Sequence, residues 1–224
     1  MRRIAIGDVH GCLKTLRKLV EERIGWNADD RLILLGDYVN KGPDSKGVLD
    51  YIAGLRETAS DTGNVITLRG NHDDIILRKY VQPGWFRGSG RPGIAATLRS
   101  FDVEHVSGIP AHYIKQLEDL PMIHQEHDFI CVHASFDTAD ANPFTDYESM
   151  LWDRIETVDM NVTGGRRVLC GHTPQTEREI RSRVHKGKII IDGGCVYPHR
   201  PGMGNLVALD LDTYELTFVK NIDM

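Results

Sequence analysis

The chain has 224 residues, 41% hydrophobic and 26% charged, with 27 lysines and arginines against 32 aspartates and glutamates. That is the composition of an ordinary globular domain. Its net charge of −5 argues against nucleic-acid or anionic-membrane partners, and no apolar run approaches the ~20 residues that cross a bilayer.

The start, Met1-Arg2-Arg3-Ile4-Ala5-Ile6-Gly7-Asp8, turns polar too soon for a signal peptide. A cytoplasmic chain is expected. Cysteines 12, 131, 170 and 195 show no CxxC spacing; Cys131 and Cys170, in apolar strand-like runs, read as buried reduced thiols, and no disulfide framework is expected. Nothing in the pattern sets the oligomeric state.

Taken in chain order, residues 3–6 are a short β-branched run that predicts a buried strand. Leu13, Leu16, Val20 and Ile24 then form a helical stripe. Residues 31–35 predict the second strand. Pro43-Asp44-Ser45 is a helix start, followed by Val48, Ile52 and Leu55 on one face. A third strand is expected at 64–68, and helices at Ile75–Val81 and Ile94–Phe101. Further strands are expected at 128–132, 166–170 and 188–191. Residues 205–219 alternate around Asp212-Thr213, which predicts a closing hairpin. Strands alternating with helices give a layered α/β fold with mixed sheets, in one domain covering 1–224.

Nearly every predicted strand ends in glycine with Asp, Asn or His. The clusters are Gly7-Asp8-Val9-His10-Gly11, Gly36-Asp37, Gly70-Asn71-His72-Asp73, His133 and Gly171-His172-Thr173. In open α/β sheets the crevice beyond the strand carboxyl ends is the usual ligand site. Asp8 and His10, two residues apart in a glycine-flanked turn, can face one metal ion. Asp37 can bridge two ions, and Asn71, His133 and His172 can complete a second site. Imidazole with carboxylate and amide oxygen, and no thiolate, suits two divalent ions, manganese first, with iron or zinc as alternatives. Such a pair sharing a hydroxide would attack phosphorus directly, with His72 placed to protonate the leaving oxygen.

GDVHG, GDYVNKG, RGNHD, VHASF and CGHT resemble, in order and spacing, the phosphoprotein phosphatase family of metallophosphoesterases, particularly its short bacterial and bacteriophage members. The resemblance covers essentially the whole chain. It implies a calcineurin-like fold, two mixed β-sheets packed as a sandwich and flanked by helices. By that likeness Asp8, His10 and Asp37 hold one metal, and Asp37, Asn71, His133 and His172 the other. His72 is the acid, and Arg69 and Arg154 fall where such enzymes carry phosphate-binding arginines. For Arg69 the plainer reading is an ion pair.

One stretch departs from the family. Asn40-Lys41-Gly42 stands where Asp-Arg-Gly is usual. Asn40 can accept a hydrogen bond from the His72 imidazole but brings no charge, and Lys41 offers phosphate a point charge without a fork. The expected activity is a metal-dependent phosphomonoesterase acting on phosphoserine or phosphothreonine proteins. A hydrolase of dinucleoside polyphosphates or other small phosphoesters is the alternative. Asn40-Lys41 also motivates a third reading, a non-catalytic phosphate-binding module. Residues 83–91 mix glycines, aromatics and arginines and read as a substrate-covering loop or a plain surface loop. His199, after the last core strand, is a further residue that could approach the cleft.

Overall fold

A computed structural model describes residues 1–85 and 93–224. Most of the loop expected at 83–91 lies outside the described residues. Among those described are nine strands: β1 (Arg3–Ile6), β2 (Arg31–Leu34), β3 (Val65–Thr67), β4 (Ile123–Gln125), β5 (Phe129–Val132), β6 (Arg167–Cys170), β7 (Lys188–Ile190), β8 (Asn205–Asp210) and β9 (Leu216–Lys220). The helices are α1 (Leu13–Arg17), α2 (Ser45–Thr58), α3 (Asn71–Val81), α4 (Ile94–Ser100), α5 (Ala111–Glu118), α6 (Tyr147–Trp152) and α7 (Glu177–Arg183). All six apolar runs form strands, and the closing hairpin is β8–β9. The stripe from Leu13 is one helix that widens into π-type turns over Lys18–Ile24 and stops at Gly25, φ 58°. At the start of α2, the Asp44 carboxylate caps by accepting from the Gly47 amide at 2.8 Å.

The strands form two mixed sheets. One has the order β3-β2-β1-β8-β9, the other β4-β5-β6-β7. Period-two alternation explains the layers. Ile4 and Ile6 of β1, with Leu32 and Leu34 of β2, pack under the α1 and α2 residues Leu16, Val48 and Ile52. The intervening Ala5 and Ile33 face the second sheet and meet Phe129, Cys131, Leu169 and Ile189. That sheet's other face, Ile130, Val132, Val168 and Cys170, packs on Phe136 and Met150. The result is the calcineurin-like sandwich.

Register decides where function sits. β1, β2 and β3 are parallel, with Ile6 opposite Leu34 and Leu34 opposite Thr67. β5, β6 and β7 are parallel, with Cys131 opposite Leu169 and Cys170 opposite Ile190. The polar tips after six strands therefore emerge at aligned edges. β8 runs antiparallel beside β1, so its first residues begin at that edge too.

Candidate active site

Asp8, His10, Asp37, Asn40, Asn71, His133 and Asp192 are all buried polar residues at this edge. Five candidate site residues, His10, Asp37, Asn40, Lys41 and His172, hold left-handed backbones with φ between 48° and 69°. For residues with a Cβ that conformation costs on the order of 1 kcal/mol or more each, and such strain collects at functional sites. Glycines permit close approaches to two of the carboxylates. A Cβ on Gly70 would stand 2.2 Å from both the amide nitrogen and a carboxylate oxygen of Asp37, and one on Gly171 2.0 Å from the Asp8 carboxylate.

The carboxylates are pinned by backbone donors. Asp8 accepts from the His172 amide at 3.0 and 3.1 Å. Asp37 accepts from the His72 amide at 2.8 Å. Asp73, fully buried in the first turn of α3, takes the amides of Asp37 and Gly70, both at 2.9 Å, and of Tyr38 at 3.0 Å. That one carboxylate ties the Asp37 loop to the helix carrying Asn71 and His72.

Each imidazole is oriented by one nitrogen and offers the other. His10 Nδ1 donates to the Val39 carbonyl at 3.0 Å, leaving Nε2 3.3 Å from the Asp37 carboxylate. His133 Nδ1 donates to the Leu35 carbonyl at 2.9 Å. Its bare Nε2 then lies 3.0 Å from Asn71 Oδ1 and 3.3 Å from His172 Nδ1, which is itself 3.1 Å from Asn71 Oδ1. Burial lowers the pKa of all three histidines, that of His172 to about 3, so neutral imidazoles are present at neutral pH.

These groups fit divalent ions. Three atoms that can all act as acceptors converge at 3.0–3.3 Å, an arrangement a cation would satisfy. His10, Asp37 and His72 offer ligand atoms all within 4.8 Å of one another, and so do Asp8, Asp37 and His133. Asp37 belongs to both groups. Burial alone would raise its pKa, but Lys41, and the histidines His133, His72 and His10 in their cationic forms, pull its carboxyl well below the usual range. Burial pushes Asp8 up, helped by the like charges of Asp192 and Asp37. Asp192 rises to about 6, chiefly through burial. Three buried carboxylates this close need more positive charge than Lys41 and Arg154 supply.

The departure at residues 40–41 has its own geometry. The Asn40 side-chain amide donates toward His72 Nδ1 at 3.2 Å and to the His72 carbonyl at 3.3 Å. The orientation is fixed by that carbonyl, which can only accept, and Asn40 Oδ1 is left to accept from the Thr97 hydroxyl at 2.9 Å. Asn40 thus donates to the imidazole rather than accepting from it, the reverse of the sequence expectation. Lys41 Nζ lies 2.7 Å from His10 Nε2.

The remaining candidates are spread around this cluster. The Arg69 guanidinium reaches the Glu118 carbonyl at 2.7 Å and Asp74 at 3.6 Å, with its Nε unpaired. Arg154 is exposed at the rim, and its charge is felt by His172 and Asp192. His199 is exposed on the loop between β7 and β8. A cavity of about 600 Å³ between α1 and α2, lined by Val20, Trp26 and Tyr51 among others, shares no residue with the site. Sequence reasoning placed Asp73 in a cluster without giving it a role, and missed Asp192. Asp192 follows a predicted strand and precedes Gly193-Gly194, the very pattern that marked its partners.

Residues 1–193 match the sequence profile described as calcineurin-like phosphoesterase. A symmetrical bis(5'-nucleosyl)-tetraphosphatase from Methylococcus capsulatus is 34% identical over 60% of this chain and 43% of its own. Serine/threonine-protein phosphatase 1 of Salmonella typhimurium is 28% identical over 86% of both chains. A solved structure with a provisional diadenosine tetraphosphatase assignment superposes with a TM-score of 0.71 at 23% identity, covering 100% of this chain and 95% of its own. The aligned region spans less than half the length of the tetraphosphatases it matches. From its buried His/Asp cluster and the profile match over 1–193, this chain belongs to the calcineurin-like phosphoesterases, hydrolases that work with bound metal ions.

Proposed function

We propose that the chain hydrolyses phosphoric anhydrides of nucleotides, with dinucleoside tetraphosphates as the leading substrate and a nucleoside diphosphate as leaving group. Asp8, His10 and Asp37 would hold one divalent ion, and Asp37, Asn71, His133 and His172 the other. Manganese suits the donor set first, with iron or zinc as alternatives. When bound, the ions supply an activated water and neutralise phosphate charge. The chain's own residues do the rest. Arg154, Arg69 and Lys41 meet non-reacting phosphate oxygens as charge builds on them. His10 Nε2 cannot serve both an ion and Lys41, so with an ion bound the Lys41 ammonium would be released from it and would be available to a phosphate oxygen. His72 gives its Nε2 proton to the departing oxygen.

The Asn40–His72 contact carries this substrate reading. With the Asn40 N–H aimed at Nδ1, that nitrogen is an acceptor and the ring is a neutral donor through Nε2. A neutral imidazole is a weak acid. It protonates a strongly basic alkoxide poorly, and phosphoserine leaves as an alkoxide. A phosphate-centred leaving group departs with little need of a proton. The tetraphosphatase relatives, at 32–34% identity, support the same reading.

Phosphoprotein hydrolysis is the second reading, favoured by the Salmonella relative's alignment over 86% of both chains. Manganese-supplemented kcat/KM for diadenosine tetraphosphate, a phosphoserine peptide and an aryl phosphate separates the two. The nucleotide should exceed the peptide by about two orders of magnitude, corresponding to ~2.7 kcal/mol of transition-state discrimination. The reverse order would establish the second reading. No turnover of any of the three would leave a phosphate-binding module.

A further inference from the structure

We infer that Tyr197 and Arg200 form the platform on which the substrate's nucleobase stacks. The inference rests on the nucleotide reading above. The loop from Gly194 to Gly204 joins the end of β7 to the start of β8, and both lie at the site edge. It is a tied chain of turns. Tyr197 N donates to the Gly194 carbonyl at 2.8 Å, Arg200 N to Tyr197 at 3.0 Å, Met203 N to Arg200 at 3.1 Å, and Gly204 N back to Gly194 at 3.1 Å. Gly194, φ 60°, lets the Tyr197 ring close over it, since a Cβ there would stand 3.3 Å from Tyr197 Cδ2. The ring is half-buried and leans on the main core. It is thus set before any ligand arrives, which lowers the ordering cost of binding.

Two cations flank this ring. The Arg200 guanidinium carbon lies 4.1 Å from its centroid, and Arg200 is exposed with no carboxylate partner among the described residues. Lys41 Nζ lies 5.7 Å from the same centroid and 2.7 Å from His10 Nε2. One lysine side chain therefore separates the ring from a proposed metal-ligand nitrogen. Aromatic rings and guanidinium planes are the surfaces on which unpaired bases stack. A base there would have its phosphates leading past Lys41 into the cluster. A phosphoserine peptide offers no flat face to match it.

Stacking of one base is typically worth a 5- to 150-fold change in affinity, about 1–3 kcal/mol. The test is competitive inhibition of aryl-phosphate hydrolysis by ADP and by methyl diphosphate, a base-free ligand of the same charge. The ratio of the two inhibition constants is read within the wild type, Tyr197→Leu, Tyr197→Phe and Arg200→Ala, so changes in basal rate cancel. Binding tighter for ADP by about tenfold is expected in wild type. The ratio should fall toward unity in Tyr197→Leu, fall severalfold in Arg200→Ala, and persist in Tyr197→Phe, which keeps the ring. Equal inhibition by both ligands in wild type, or an unmoved ratio in Tyr197→Leu, overturns the platform. Failure to cleave diadenosine tetraphosphate alongside an intact ADP preference would instead overturn the substrate reading.

Discussion

Replacing Asp73 should cost more stability than any other single change at the edge of the site. Its carboxylate is fully buried and accepts three backbone amides, from Asp37, Gly70 and Tyr38. Asparagine keeps one acceptor oxygen and turns an N–H toward at least one amide that now has no partner. Burial and the Asp37 charge push the Asp73 carboxyl up against the pull of the three amides, so its bonds lack the extra strength of a charged acceptor. A lost hydrogen bond costs about 0.5–1.5 kcal/mol and the unpaired buried N–H it leaves about 1–3 kcal/mol, so Asp73→Asn should lose about 2–4 kcal/mol. Asp73→Ala leaves all three amides unpaired. The individual losses do not add, because the carboxylate's own burial cost is relieved; about 3–5 kcal/mol is expected. At ~2–4 °C per kcal/mol for a domain of this size, that is a fall in Tm on the order of 10 °C. Urea unfolding of the chelator-treated protein, with the slope checked for two-state behaviour, reads the stability. Metal content read alongside should fall too, because Asp73 holds the backbone that presents Asp37. Stability within about 0.5 kcal/mol of wild type for Asp73→Asn would refute the reasoning, since that is the range of inconsequential surface changes.

Three further predictions concern the site itself. Asp37→Ala should lose both ions in metal analysis, because Asp37 belongs to both ligand groups; retention of two ions per chain would remove the bridging role. Asn40→Asp replaces a donor toward His72 Nδ1 with an acceptor, so it should raise kcat for alkyl phosphates, leave aryl phosphates little changed and extend activity to higher pH. Equal gains on both substrates would detach Asn40 from His72. Asp192→Asn should stabilise the metal-free protein at pH 8 by about 3 kcal/mol and do little at pH 4. The carboxyl rises from 3.8 to about 6 on folding, so the native state holds the extra proton, and stability is full below the unfolded pKa and lost as pH rises through about 6. A stability difference independent of pH would show that Asp192 ionisation is not the cause.

Much of this site is legible in the sequence because parallel strands deliver their carboxyl ends to one edge. A short β-branched run ending in Gly-Asp or Gly-His therefore marks both an element and a ligand. That logic reaches Asp8, Asp37, Asn71 and His172 without knowledge of the packing. It fails where the cause is distant. The Asn40 amide is oriented by the His72 carbonyl, 32 positions away, so whether it donates or accepts is invisible locally. Asp73 looks like a helix-cap residue, and it does accept from Gly70 in that sense; its bonds to Asp37 and Tyr38 arise only when β2 and β3 pair. β4, three residues long, exists through its pairing with β5, and the short α5, α6 and α7 hold too few turns for periodicity to stand out.

The central claim, hydrolysis of a nucleotide anhydride at this cluster, is tested most directly by product analysis. Diadenosine tetraphosphate incubated with the manganese-loaded protein in water enriched in heavy oxygen should give ADP as the sole nucleotide product, with heavy oxygen in one of every two ADP molecules, and chelation should stop the reaction. Intact diadenosine tetraphosphate, under conditions where a phosphoserine peptide loses its phosphate, would contradict it.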